Sequence, residues 1–344
     1  NITIYPNDMD IVVNKYKLDN INIYSNYESE RTKYVNSNME NITGINCIDS
    51  LREHKDEYIA VHCHPIWAAE IVANAAKKNG IVHVIAHSHS TKFSDKKLSA
   101  IRNRILVSFI GFFATDFIAC SPEARYLFGS KRVKNNQVLV LRNAIECEKF
   151  KYNKSARDDI RALCGIDDKT TIIGNVGRLC IQKNQGFLLR VFKEYLTIDP
   201  NAKLLIVGDG ELREDLLKLV DELNISKSVI FAGKQKDVGA YLSVMDIFVM
   251  PSLFEGAPVS AIEAQANGLN CLMSDTITKS VQINLGKYCS LNESIHVWAD
   301  TIYMILQNKN TSRDDYRAVV DAGFDINNEA IVLEQYYEGL LVDG

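Results

Sequence analysis

The chain reads as short apolar runs, each closed by glycine, proline, serine or asparagine, alternating with stretches of helical period. The runs fall at 58–62, 81–90, 116–120 and 137–141, then at 170–176, 202–208, 228–233, 246–252 and 270–275. The run 246–252 is apolar and ends at Pro251 and Ser252, which predicts a buried strand that stops abruptly. Between them lie predicted helices. One covers about 66–78 and is closed by Gly80. Another, 121–129, has Ser121 as N-cap, Pro122 at its first position and Gly129 at its end. The segments 170–196 and 202–225 each read strand, loop, helix, and 327–342 reads as an amphipathic helix with Ile331, Leu333, Tyr337 and Leu340 on its apolar side. Strand alternating with helix is the pattern of a doubly wound parallel sheet.

At 344 residues the chain suits two cores rather than one. The expected division is 1–150, 151–326 and a terminal helix 327–344. Residues 17–60 are polar, and a strand-like patch, Met9–Val13, precedes them. Hydrophobic residues make up 47% and charged residues 24%, and the net charge is −4. That is an ordinary globular balance, with no basic excess calling for nucleic acid. The eight cysteines include no C-x-x-C pair, so neither a zinc site nor a disulfide framework is expected, and reduced thiols in a cytoplasm are the simplest account. No apolar run reaches ~18 residues without charge, and no signal peptide is read.

The most informative stretch is PSLFEGAPVSAIEAQANG, 251–268. A strand ends at Pro251–Ser252, an acidic glycine turn carries Glu255, Gly256, Ala257 and Pro258, and a helix carrying Glu263 ends before Gly268. Free N–H groups at that helix start favour an anion such as a phosphate, and Glu263 could accept from sugar hydroxyls. Taken alone, two glutamates with seven residues between them fit a surface acidic turn followed by an ordinary amphipathic helix better than a site. The loop after 170–176 holds Gly177, Arg178 and Lys183. A guanidinium and an ammonium there suit a diphosphate, although loop cations are commonly just solvated. GDGEL, 208–212, is read as a tight turn without catalytic role.

Together these residues resemble the retaining glycosyltransferases of the GT-B fold, family 4. The resemblance rests on E-x7-E after a strand ending in PS and on GNVGRLCIQKN. It is reinforced by HCH (62–64), AHSH (86–89), ACSPEARYLFG (119–129) and NAIECEKF (143–150), in the order of the exopolysaccharide and capsule subgroup. It implies two Rossmann-like domains facing a cleft. A nucleotide sugar, expected to be a UDP-sugar, would lie mainly on the second domain, and a hexosyl group would pass with retention to a saccharide or lipid-linked acceptor in bacterial surface polysaccharide synthesis. Arg178 and Lys183 would stabilise the departing diphosphate without a metal, and no cofactor is implied. Glu255, with Gly256, Ala257 and Pro258, would hold sugar and phosphates, and Glu263 the ribose. Gly177 and Lys234 are further donor-side candidates. His87 would support the sugar, with His89 a less secure neighbour.

The family opens with a strand, a glycine-rich loop and a helix. Residues 1–60 offer no such loop, so the first strand and loop are expected to be missing. The basic apolar stretch 95–110, with Ile101, Ile105, Leu106 and Phe109, fits an anionic membrane surface or packing on its own sheet about equally. A peripheral position on the inner face of the cell membrane would suit lipid-linked acceptors. Two other readings stand beside transfer: a nucleotide-sugar epimerase of the same fold, and a non-catalytic nucleotide-sugar-binding protein.

Overall fold

The structure, a computed structural model, describes residues 2–4, 21–23, 60–64, 66, 68–93, 97–307, 313 and 316–342. The chain divides into two compact units, 1–142 with 327–344, and 143–326. Each is built on a six-stranded sheet whose strands pair in parallel.

In the first unit the strands are β1 (Ile2–Ile4), β2 (Ile21–Ile23), β3 (Ala60–Cys63), β4 (His83–Ser88), β5 (Asp116–Ala119) and β6 (Leu139–Val140), in spatial order β2-β1-β3-β4-β5-β6. β3 and most of β4 are buried along their length, the polar His62, His87 and Ser88 included. The strand expected at Met9–Val13, and most of the region expected to lack a glycine loop, lie outside the described residues. Ala69, Ala73 and Ala76 form the buried stripe of the helix Ala68–Lys78. The predicted helix at 121–129 is instead a 3-10 turn, Ala124–Phe128. Ser121 still caps it, its Oγ accepting from the Ala124 N–H at 3.1 Å. The C-terminal helix, Ile326–Val342, packs Leu333, Tyr337 and Leu340 against Ala60, Ile85, Ile118 and Leu141. Ile331, read as apolar-side, is exposed.

In the second unit the strands are β7 (Ile172–Val176), β8 (Lys203–Val207), β9 (Val229–Gly233), β10 (Ile247–Met250), β11 (Cys271–Ser274) and β12 (Gly286–Cys289), in spatial order β12-β11-β10-β7-β8-β9. The chain lays β7, β8 and β9 outward in one direction, then returns to the other side of β7 for β10, β11 and β12. The order therefore reverses between β7 and β10. Trp298, Phe192, Leu188, Leu189, Ile173, Leu204, Val249 and Leu272 belong to one buried cluster. β12 and the Trp298-bearing helix Ile295–Gln307 were not singled out by the apolar pattern.

The first unit ends earlier than the expected 150. Residues 143–150 belong with the second unit because the chain there bonds to it. Ile145 N–H donates to the Phe324 carbonyl at 2.9 Å, Ile326 N–H donates to the Ile145 carbonyl at 2.9 Å, and Asn143 reaches the Ala257 carbonyl. Of the helices described, none is long and apolar enough to cross a membrane.

Candidate functional site

Loops leaving the C-terminal ends of β7 and β10 meet at the reversal of strand order, the position where open parallel sheets take ligands. The first loop, 177–184, carries Arg178 and Lys183. The second, 251–258, carries Glu255. The Lys183 ammonium donates to Glu255 Oε1 at 2.6 Å, with side-chain exposures of 17% and 9%. Gln182 Nε2 donates to Glu255 Oε2 at 3.1 Å and to the Phe254 carbonyl at 3.0 Å. Leu253 N–H donates to the Gln182 carbonyl at 2.8 Å. Asn184, in the left-handed region at φ 56°, donates to the Pro251 carbonyl.

The second loop is also held from behind. Ser274 and Thr276 hydroxyls donate to the Ser252 carbonyl at 2.6 and 2.7 Å, and Asn143 Nδ2 donates to the Ala257 carbonyl at 2.9 Å. Gly256, Ala257 and Pro258 are buried. The helix Val259–Ala266 begins at Pro258 with no side-chain cap, so its first N–H groups are left for a ligand or water. It ends on Gly268 at φ +75°, as the terminal glycine predicts. Glu263 lies in this helix, half-buried. A rigid, preorganised turn with a cation, a carboxylate and helix N–H groups can hold a charged, hydroxyl-bearing ligand.

A third loop supports the first. Gly208, after β8, has φ +134°, and a Cβ there would lie 2.0 Å from the Gly177 carbonyl oxygen. GDGEL thus acts by letting two turns touch. Gly177 leaves room for the Lys183 stem, since a Cβ there would lie 3.3 Å from Lys183 Cε. Arg178 is exposed and pairs with Glu211 at 3.1 Å. The structure thus joins Lys183 to Glu255, while Arg178 pairs with Glu211, across the β7 and β8 loops. Lys234 is exposed just past β9, with β8 and β7 between that strand and β10. Gln182, Asn184, Glu211 and Asn143 were not singled out in the sequence. Gln182 and Asn184 flank Lys183 and were the nearest to being legible.

His87 lies in the first unit, at the end of β4, and is buried. Its Nδ1 is 3.1 Å from His62 Nε2, and His62 Nδ1 is 2.6 Å from the Tyr337 hydroxyl. His64 Nδ1 lies 2.8 Å from His89 Nε2. Burial, then the neighbouring imidazoles, holds His62 and His87 well below the usual imidazole range, and the same causes pull His64 down to about 3.

Residues 156–318 match the family described as glycosyl transferases group 1. The second unit belongs to this family. Over 255 residues the chain is 36% identical to EpsF of Bacillus subtilis, a glycosyltransferase by name, covering 71% of this chain and 65% of EpsF. It is 28% identical over 229 residues to the Escherichia coli protein named UDP-Gal:alpha-D-GlcNAc-diphosphoundecaprenol alpha-1,3-galactosyltransferase, covering 64% of this chain and 59% of that protein. The chain therefore spans less than two thirds of the length of either relative. Among solved structures, Anabaena HepE, crystallised with UDP and glucose, superposes with a TM-score of 0.80 at 15% identity, covering 98% of each chain. At that identity the likeness shows the fold, the two-sheet GT-B class. In this group 1 glycosyltransferase unit, Lys183 and Glu255 are the pair that the fold brings together.

Proposed function

We propose that this chain moves a hexosyl group from a nucleoside diphosphate sugar, a UDP-sugar, to a saccharide or lipid-linked acceptor in bacterial surface polysaccharide synthesis, with retention at the transferred carbon. The observation that carries this reading is the 2.6 Å contact between Lys183 and Glu255 at the reversal of strand order. Breaking the sugar–phosphate bond places growing charge on the β-phosphate. In the proposal Lys183, held where that phosphate sits, stabilises the charge as it develops. Arg178 turns from Glu211 to the same diphosphate, its exposure leaving the guanidinium free to swing. Glu255 orients Lys183 and accepts from a sugar hydroxyl. Helix N–H groups after Pro258 receive a phosphate oxygen, and Glu263 accepts from the ribose. Gly177, Gly256 and Ala257 allow close approach, and Lys234 serves the nucleobase side. No metal is assigned to the diphosphate, because two cations take that part. The role of His87, holding the sugar, rests on the family resemblance alone.

The chain is also proposed to work at the inner face of the cell membrane. Leu98, Ile101, Ile105, Phe109 and Phe112 recur at helical spacing along and just beyond the helix Lys97–Ser108, and all are exposed. Arg102 and Arg104 beside them are exposed too. Exposed apolar side chains flanked by arginine suit an anionic lipid surface, and this favours docking over packing on the sheet.

The test is transfer of labelled sugar from UDP-glucose, UDP-galactose and their N-acetyl forms to undecaprenyl-linked saccharides. Product carrying the sugar in the donor's anomeric configuration supports the proposal. Conversion of the nucleotide sugar without acceptor identifies an epimerase, and binding without turnover identifies a binding protein.

A further inference from the structure

The turn that carries Lys183 is not held by apolar packing. It is a 3-10 turn, Ile181–Lys183, in which no residue is buried, and Ile181 is 60% exposed. Its place against the 251–258 loop therefore rests on polar bonds, and Gln182 supplies three of them. The Gln182 carbonyl accepts from the Leu253 N–H at 2.8 Å. A side-chain amide has two hydrogens to donate. Here one goes to the Phe254 carbonyl at 3.0 Å and the other to Glu255 Oε2 at 3.1 Å. One residue thus engages three consecutive residues of the opposing loop, and it registers the carboxylate against the backbone of its own neighbour.

Two backbone-directed bonds would be enough to join the loops. The bond to Oε2 does something different. Lys183 holds Oε1 at 2.6 Å, so two neighbours in sequence grip the two oxygens of one carboxylate. The last torsion of a glutamate is otherwise broad. With Oε2 fixed by Gln182, the group cannot turn, and Oε1 stays where the ammonium meets it. An ammonium has three donors, so one can remain on Oε1 while the others reach a phosphate. A carboxylate oxygen takes more than one hydrogen bond, so Glu255 can still accept from a sugar hydroxyl.

We propose that Gln182 is a positioning residue for transfer: its amide fixes the Glu255 carboxylate, and the carboxylate in turn fixes the Lys183 ammonium at the second phosphate of the donor. This role rests on the transfer reading above, and it names the group that preorganises the pair. Gln182 itself touches neither phosphate nor sugar. Its effect passes through Glu255, which sets it apart from a residue that merely keeps the two loops together.

The experiment uses the full chain and Gln182→Met, which keeps the length of the side chain and the backbone bond to Leu253 but removes both amide hydrogens. Calorimetry measures UDP and UMP binding, and transfer of labelled sugar from the UDP-sugar that the wild type uses gives kcat. UDP should bind about tenfold or more weakly, the scale of one hydrogen bond to a charged group. UMP lacks the second phosphate and should bind within about twofold of wild type, which also shows that the variant has folded. The fall in kcat should be about tenfold to 100-fold, the scale of a misplacement near 1 Å. In a Glu255→Ala background the same substitution should change kcat by less than about twofold. Gln182→Asn, one methylene too short to reach Oε2, should behave like Gln182→Met. Equal weakening of UDP and UMP, a loss of kcat that multiplies with that of Glu255→Ala, or wild-type UDP affinity and kcat in both variants overturns the proposal. A wild type that neither binds UDP nor transfers sugar fails the transfer reading itself, and this role with it, before any variant is compared.

Discussion

Replacing Lys183 by methionine separates a catalytic cation from a merely structural ion pair. The side chain keeps its length, loses its charge, and leaves Glu255 with its Gln182 hydrogen bond. If Lys183 stabilises charge on the departing phosphate, the loss resembles removal of one preorganised donor, about 2.7–4 kcal/mol, or 10²–10³ in kcat. The pair also contributes to stability, since both side chains are mostly buried; leaving the carboxylate with a weaker partner costs about 1–3 kcal/mol. The two effects part in the double variant Lys183→Met/Glu255→Gln. Neutralising the carboxylate removes the uncompensated charge and should restore most of the stability, while transfer stays low. Radiolabelled UDP-sugar turnover at saturating donor and urea unfolding give the two readouts. Transfer by Lys183→Met within about fivefold of wild type, or recovery of transfer in the double variant, would refute the leaving-group role.

Other outcomes follow from packing. Gly208→Ala forces a Cβ into the Gly177 carbonyl at a left-handed φ and should cost about 1–3 kcal/mol by urea unfolding, with transfer falling as the Arg178–Lys183 loop shifts. Asp246 pairs with Arg157 and with the buried Arg161; Asp246→Ala should cost about 3–5 kcal/mol, and a change under 1 kcal/mol by the same measurement would rule that anchor out. Ile101→Ser/Ile105→Ser should reduce sedimentation with phosphatidylglycerol vesicles at least about tenfold while leaving the melting temperature unchanged, each exposed side chain losing roughly 1.5–3 kcal/mol of burial in lipid.

How far the site could be read depended on sequence separation. Arg178 and Lys183 share one short loop, and Glu255 and Glu263 share a turn and its helix, so their spacing was visible along the chain. The histidines were legible as two H-x-H steps, but not as one cluster, because period-two spacing on a strand does not reveal its neighbour. The unit boundary was placed too late because apolar periodicity does not report hydrogen bonds such as those of Ile145 to Phe324 and Ile326.

By itself the sequence determined the local elements: short, largely apolar runs that read as strands, helices stopped by glycines, and the residue types a diphosphate and a sugar require. Only the tertiary structure decided which loops meet. Lys183 and Glu255 touch because β10 returns to pair with β7 after β8 and β9 have been laid on the other side. Tyr337 reaches His62 across 275 positions because the last helix packs on the first unit's sheet. Strand order is set by how whole faces bury against one another, a property of the assembled sheet that no single stretch of chain carries.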